Sequence, residues 1–393
     1  MNIGVIIDND LNYDSRVLKQ INLLKKKNKV FVLCYAYPNK KYDIIENVIV
    51  NRIKINKSIK NFLFFINNRF PIYEKIWSYK ILNFIKKNSI DILHCHDLYM
   101  SKPTYIAKKN FNNKCKIILD LHENYPEAVL SYNWTNGIFR NFISKPQLWA
   151  SKEKEYLLYA DKLVVISDYF RNKLLKKYNF LNKKNILTYP NLIDFKEFER
   201  FKINYQIKKS DLPTFLYFGI IAERRGIFDV IQVFNEVLKR KYRFKLLLIG
   251  PVDKSDIKRF KDLISSSPIN KYVQHIPFIK LSELVSYLNI SDVSLAPFIK
   301  NKQHDSGVAN KIFQYMYGKN PIIASNCKSQ SLLIKQFDCG LVYRNNNDFV
   351  KKIIFFIENP DIRLRMGFNG FNYLYKKIDS EKYDYNFLSF FKI

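Results

Sequence analysis

Five clusters of polar residues in the 393-residue chain carry groups able to bind or transfer charge. Asp8-Asn9-Asp10 is followed closely by Asp14 and Arg16; His94-Cys95-His96-Asp97 and His122-Glu123-Asn124 come later in the first half. In the second half Glu223-Arg224-Arg225-Gly226 and His304-Asp305-Ser306-Gly307 each precede a helical pattern. Two guanidiniums and a glycine at a helix start suit a diphosphate, through backbone N–H groups and bidentate hydrogen bonds. The plain alternative is a solvated turn. His94 and His96 are two apart, so on a strand they share a face and could ligate zinc with Asp97 or His122. No third and fourth ligand follow at a fixed spacing, so hydrogen-bonded scaffolding is the better reading and no metal is expected.

Each cluster follows a short apolar run. β-Branched runs alternate with stretches of helical period, the signature of βα units and parallel sheets. The expected strands of the first half are Ile3 to Ile7, Val30 to Tyr35, Val48 to Ile53, Ile90 to Cys95, Lys116 to Leu121, Lys162 to Ile166 and Ile186 to Tyr189. Those of the second are Thr214 to Phe218, Phe244 to Ile249, Val273 to Pro277, Val293 to Ala296, Pro321 to Ala324 and Gly340 to Tyr343. Gly219 and Gly250 end the first two of these. Between the halves, 194–213 is charged and lacks a period, which reads as a linker. The expected division is 1–195, a linker at 196–213, 214–378, and a segment 379–393 that packs back on the first domain. In open parallel sheets ligands bind outside the carboxyl ends of the strands. The polar clusters fall there, so the expected architecture is α/β: two Rossmann-like doubly wound parallel-sheet domains facing a central cleft. A helix over Val308 to Tyr317 puts Gly307, Asn310, Lys311 and Gln314 on its polar face. A fully apolar strand follows, so the helix reads as buried, with that face turned to a ligand. GxGxxG is absent from the first strand–helix turn, which argues against a dehydrogenase.

Lys and Arg number 66 against 35 Asp and Glu, a net charge of +31, of which residues 1–195 carry +17. So even a spread fits neither a basic tail nor one nucleic-acid patch, and no nucleic-acid partner is expected. Codon bias toward Lys and Asn accounts for the charge as well as function does; otherwise phosphorylated substrates and an anionic membrane surface are the natural partners. Lys57 to Lys87 interleaves cations with Phe62, Phe64, Phe65, Phe70, Tyr73, Trp77 and Phe84, either an interfacial patch or an ordinary amphipathic layer. The five cysteines are odd in number and lack a CxxC pair, so they read as buried thiols of a reducing compartment. No apolar run approaches the roughly 18 residues of a membrane span, and the N-terminus is unlike a signal peptide. A cytoplasmic protein is expected, peripheral on the inner face of the cell membrane if the patch binds lipid.

The order of motifs in the second half, Leu216-Tyr217-Phe218-Gly219, Arg225-Gly226, Leu247-Leu248-Ile249-Gly250, Ser291-Asp292-Val293 and the block Asn310 to Ser325, resembles glycosyltransferase family 4. Asp14-Ser15-Arg16-Val17, Asp91 to Asp97, Leu119 to Glu123 and Ala160 to Ser167 resemble that family's N-terminal domain. The resemblance implies a GT-B fold and a retaining glycosyltransferase that needs no metal or other cofactor. Its donor would be a nucleotide-sugar and its acceptor a glycan or lipid-linked glycan of cell-surface polysaccharide biosynthesis. It implies catalytic roles for His122 and Arg225, with Arg224 compensating for Ile220, which replaces a usual arginine. Gly219, Gly250, Ser306, Gly307, Asn310, Lys311 and Gln314 would bind the donor, and Asp14, Arg16, His96 and Glu123 the acceptor. The family's Glu-x7-Glu stands here as Ser306-x7-Gln314, so both carboxylates are replaced. A degenerate member that binds without catalysis is the alternative.

Overall fold

The computed structural model describes residues 1–38, 42, 44–111, 114–266, 268–376 and 380–392. Two compact units emerge, 1–190 with 381–393 and 191–380. Positions 378 and 379, where the sequence put a boundary, lie outside the described residues.

The first unit holds a seven-stranded parallel sheet in the order β3-β2-β1-β4-β5-β6-β7. Its strands are β1 (Asn2–Ile6), β2 (Lys29–Ala36), β3 (Val48–Lys54), β4 (Ile92–His96), β5 (Lys116–Leu121), β6 (Lys162–Val165) and β7 (Ile186–Thr188). Helices α1 (Ser15–Leu24), α2 (Lys57–Ile66), α3 (Ile72–Asn88), α4 (Ser101–Asn110), α5 (Tyr125–Ala128), α6 (Ile138–Ser144), α7 (Leu148–Leu158) and α8 (Asp168–Lys177) lie between them. Most strands are largely apolar because helices cover both faces, whereas the edge strand β3 carries Asn51, Arg52 and Lys54. Along β2, Phe31, Leu33 and Tyr35 enter one core with Trp77 and Phe84 of α3, while Val30, Val32 and Cys34 enter the other with Val17 and Ile21 of α1. Each such side chain removed from water contributes about 1.5–3 kcal/mol. All five cysteines are buried, and none forms a disulfide.

The second unit has six parallel strands in the order β10-β9-β8-β11-β12-β13. They are β8 (Thr214–Phe218), β9 (Lys245–Ile249), β10 (Val273–Ile276), β11 (Val293–Ala296), β12 (Ile322–Ser325) and β13 (Gly340–Tyr343). Its helices are α9 (Phe195–Phe198), α10 (Ile227–Lys239), α11 (Ile257–Ser265), α12 (Leu284–Asn289), α13 (Lys302–Asp305), α14 (Asn310–Tyr317), α15 (Lys328–Gln336), α16 (Asn346–Glu358) and α17 (Pro360–Lys376). In each sheet the strand order reverses once, at β1/β4 and at β8/β11, and a crevice for ligands opens at such a point.

Three features bear on the sequence reading. Residues 196–213 are not a free linker: Phe198 is buried, its ring 5.3 Å from Tyr317, and the Asn204 N–H donates to Ser286 Oγ. Helix α18 (Ser380–Phe390) belongs to the first unit, where Phe387 and Phe391 close the core beside His94 and Tyr189. Of the aromatics between Lys57 and Lys87, Tyr73, Trp77 and Phe84 are core residues, and Phe62, Phe70 and Tyr79 are exposed.

Gly250 follows β9 at a positive φ of +140°, and a Cβ there would lie 2.1 Å from the Gly219 carbonyl oxygen. The two strand ends touch through backbone alone. Gly250→Ala is expected to destabilise the second unit by about 2 kcal/mol or more, from strain plus steric conflict. Thermal unfolding should show a drop of roughly 5 °C.

Candidate functional site

At the carboxyl edge of the first sheet a buried ion pair organises the polar residues. Asp120, fully buried near the end of β5, accepts from Arg16 Nε at 3.1 Å and Nη2 at 2.9 Å, and from Gln20 Nε2 at 2.6 Å. Arg16 Nη1 donates to the Tyr189 carbonyl at 2.8 Å. Asp14 caps α1, its Oδ1 accepting from Val17 N–H at 3.1 Å, and its Oδ2 lies 4.0 Å from His122 Nδ1. His122 Nε2 is 2.8 Å from Nδ1 of the fully buried His96. Asp97 ends β4 with a φ of +71°, a conformation disfavoured for a residue with a Cβ. Such strain concentrates where function or topology demands it.

Arg16 and His96, expected to contact an acceptor, do not reach one. Arg16 is 9% exposed with its guanidinium spent on Asp120 and Tyr189, and His96 has no surface. His96 contacts His122 directly and Arg16 is linked to it through Asp120, while His122 and Asp14 are half-buried at the edge. Glu123 is half-buried too and accepts from the Tyr132 hydroxyl. Burial drives the histidines to the neutral form, His94 to a pKa of about 4 and His96 well below the ordinary value. Burial raises Asp120, but Arg16 overrides it and holds the carboxyl below its usual range. The ligand atoms of His94, His96 and Asp120 lie within 4.8 Å of one another. A divalent ion there would have to displace Arg16 from both Asp120 oxygens, so these residues do not fit a metal as they stand.

The second unit gathers cations at the end of β8. Arg224 and Arg225 form the turn before α10, and Gly226 caps that helix at φ +75°, where a Cβ would strike the Pro297 carbonyl at 1.8 Å. Lys311, in the first turn of α14, reaches across to Gly219: its Nζ is 2.9 Å from where a Cβ of Gly219 would stand. The ammonium rests on the rings of Tyr217 at 3.8 Å and Phe298 at 5.2 Å, and the Arg225 guanidinium lies 5.2 Å from Phe298. Among the described residues no carboxylate pairs with Lys311; burial first and then Arg225 hold its pKa well below the lysine range. Gln314, one turn further on, is 8% exposed, and its side-chain amide has no hydrogen-bond partner among the described residues.

Two expected donor residues drop out. Ser306 is fully buried with its hydroxyl donating to the Lys302 carbonyl, and Asp305 caps α15 by accepting from Lys328 N–H, so neither offers the missing carboxylate's contact. Gly250 is buried against Gly219 and serves the close approach of two strands. Gly219, Gly307 and Asn310 keep accessible surface. Tyr217 was read only as part of a strand motif and Phe298 not at all, although Pro297-Phe298 stands after β11 just as Gly219 stands after β8.

The buried histidines make the first unit sensitive to acid. His94 titrates at 6.5 when unfolded and at about 4 when folded, so the unfolded chain binds the extra proton between those values. Its share of stability, roughly 3 kcal/mol at most, is intact above 6.5 and lost as the pH falls toward 4. His96 adds to this, whereas Asp97, raised by burial to about 6, runs the other way and gains on acidification. The melting temperature should therefore fall from pH 6.5 to pH 4, and His94→Phe should narrow the fall; equal pH dependence of the two proteins would remove His94 from the account.

Comparison with known proteins agrees with this division. Residues 20–197 match the family model Glycosyltransferase Family 4 and residues 198–373 the model Glycosyl transferases group 1. An uncharacterized glycosyltransferase of Methanocaldococcus jannaschii is 23% identical over 92% of this chain and 89% of its own. The capsular polysaccharide biosynthesis glycosyltransferase CapM of Staphylococcus aureus is 23% identical over 58% of this chain and 60% of its own. Among solved structures, a sucrose-phosphate synthase from Thermosynechococcus elongatus superposes with a TM-score of 0.74 at 14% identity, covering 98% of this chain and 97% of that one. With a seven-stranded and a six-stranded parallel sheet and both halves matched, the chain belongs to glycosyltransferase family 4 and has the GT-B fold.

Proposed function

We propose that this glycosyltransferase takes a nucleotide-sugar on its second unit and transfers the sugar, with retention and without a metal, to a glycan or lipid-linked glycan in cell-surface polysaccharide biosynthesis. It would act on the cytoplasmic side of the membrane. The observation that carries this reading is the pair Lys311 and Arg225 at the Gly219 strand end, where Lys311 has aromatic rings for a bed and no carboxylate. An anion restores what desolvation of that ammonium costs. A nucleoside diphosphate fits, because its charge grows as the bond from the anomeric carbon breaks, and fixed cations stabilise the developing charge. Gln314, nearly buried and unpartnered on the same helix face, would bond the ribose hydroxyls. On the first unit His122 and Asp14 are the polar groups left accessible for an acceptor. The burial of Ser306 favours a second reading, a member that binds donor without turning it over; donor hydrolysis by the purified protein distinguishes the two.

Calorimetric titration with UDP and GDP tests the site. Lys311→Met should weaken the diphosphate that binds about ten- to a hundredfold, the worth of a charge-assisted hydrogen bond. Gln314→Ala should cost about five- to fiftyfold and Gln314→Glu little or nothing. Because Lys311 loses its proton more readily than an ordinary lysine, affinity should decline with rising pH before the ordinary value of 10.5 is approached, and Lys311→Arg should abolish that decline. Arg225→Ala should lower turnover by roughly two orders of magnitude. Native affinity in both Lys311→Met and Arg225→Ala would place the diphosphate elsewhere.

A further inference from the structure

Two neighbouring helices of the first unit, α2 and α6, contribute little to its core: Leu63 and Phe64 of α2 pack against it only partly buried. Helix α2 has six apolar side chains and α6 four, and not one of the ten is fully buried. Ile138 is 94% exposed, Phe139 75%, Phe142 66% and Phe62 60%. The helices are fastened to each other: Arg69 donates to the Phe142 carbonyl at 3.1 and 2.7 Å and stacks on its ring, and Asn68 donates to the Ser144 carbonyl at 2.7 Å. The exposed rings are thus held out by polar contacts rather than left on a loose loop. A cavity of 600 Å³ opens beside them, lined chiefly by Phe62, Phe64, Phe65, Trp134, Lys60 and Arg140. Lys60 at its wall also pairs with Asp8 at 3.2 Å, so the cavity borders the carboxyl edge of the sheet just after β1.

Charge says what kind of partner covers this face. Residues 57–73 contain three Lys or Arg and no Asp or Glu, and residues 128–152 likewise contain three and none. A protein partner of matching apolar shape would have to be strongly acidic, whereas an anionic bilayer offers hydrocarbon and phosphate together. A patch of this size on a monomer is otherwise a liability.

We propose that α2, α6 and the adjoining cavity form a lipid-binding surface: Phe62, Phe139 and Phe142 enter the interfacial layer of an anionic membrane, the cavity takes one hydrocarbon chain, and Lys57 and Arg140 meet lipid phosphates. This deepens the proposed function by making the acceptor lipid-linked, and it rests on that reading to that extent. The sequence pointed to residues 57–87 for this role; the structure moves the surface to α2 and α6, because most of α3's aromatics fill the core.

The full chain is mixed with vesicles of phosphatidylcholine, with and without phosphatidylglycerol, and with lipids brominated on the acyl chain. The anionic vesicles should bind the protein, less so as salt rises, and the brominated chains should quench Trp134, since Trp77 and Trp149 are buried. Joint Phe139→Ser and Phe142→Ser substitution should weaken binding about tenfold or more. Tyr205→Ser, at a 76% exposed aromatic of the second unit, should change nothing, and Trp134→Phe should lose the quenching but keep the binding. Absence of binding, equal binding to neutral vesicles, full binding by the double variant, or a stable dimer in light scattering that the double variant breaks would each overturn the proposal. Nucleotide titration of the same proteins separates the two claims: vesicle failure with intact diphosphate binding sinks only the lipid surface, and the converse sinks only the donor reading.

Discussion

The first unit depends on one ion pair. Asp120 stands on a central strand with no exposure, and a carboxylate there without partners would cost several kcal/mol. Arg16 and Gln20 on α1 satisfy both of its oxygens, which fixes α1 against the sheet, and the remaining Arg16 N–H carries the connection to the end of β7 at Tyr189. The guanidinium also reaches the histidines. Its charge adds to burial in holding His94 and His96 neutral, and a neutral His96 can share a hydrogen bond with His122 without placing two like charges 2.8 Å apart. Phe387 of α18 and Phe391 just after it close the back of His94, completing an environment that begins at residue 14.

The second unit repeats the strand order with the opposite electrostatics. Where the first compensates its buried charge internally, the second brings Lys311 and Arg225 together and gives Lys311 only ring faces. A cation on an aromatic face keeps a fraction of its hydration energy, of order 1–2 kcal/mol, far less than water supplies. The depressed pKa of Lys311 expresses that deficit. Two glycines make the geometry possible. Gly219 leaves room for the ammonium, and Gly250 lets the neighbouring strand end lie against Gly219 so that the crevice at β8/β11 keeps its shape.

The architecture was legible in the sequence because both sheets are parallel and largely covered on two faces, which makes most strands short apolar runs; all thirteen expected strands occur, with ends shifted by at most two residues. Long-range partners were harder to read. Arg16 and His96 looked like ligand groups because a polar residue near a strand end resembles one whether it faces a ligand or a buried carboxylate a hundred residues away. Ser306 misled for a similar reason, since a hydroxyl satisfied by its own turn leaves no mark on spacing. The exposed aromatics were half read: helical period separates the faces of α3 poorly, and α6 is too short to show a period at all.

The replacement of two carboxylates and the place of Lys311 belong together. Lys311 and Gln314 are three apart on α14, neighbours on a helix face. A glutamate at 314 would offer Lys311 an internal counter-ion, raise its pKa toward the ordinary range and reduce the demand for an external anion. A neutral amide leaves that demand to the ligand. The same amide can bond ribose hydroxyls in either sense, as donor or acceptor, without the desolvation cost of a second ion in a nearly buried position. On the proposed reading, the cation that the exposed Ile220 lacks would come from α14 rather than from Arg224 alone, and donor affinity would follow the protonation of one lysine.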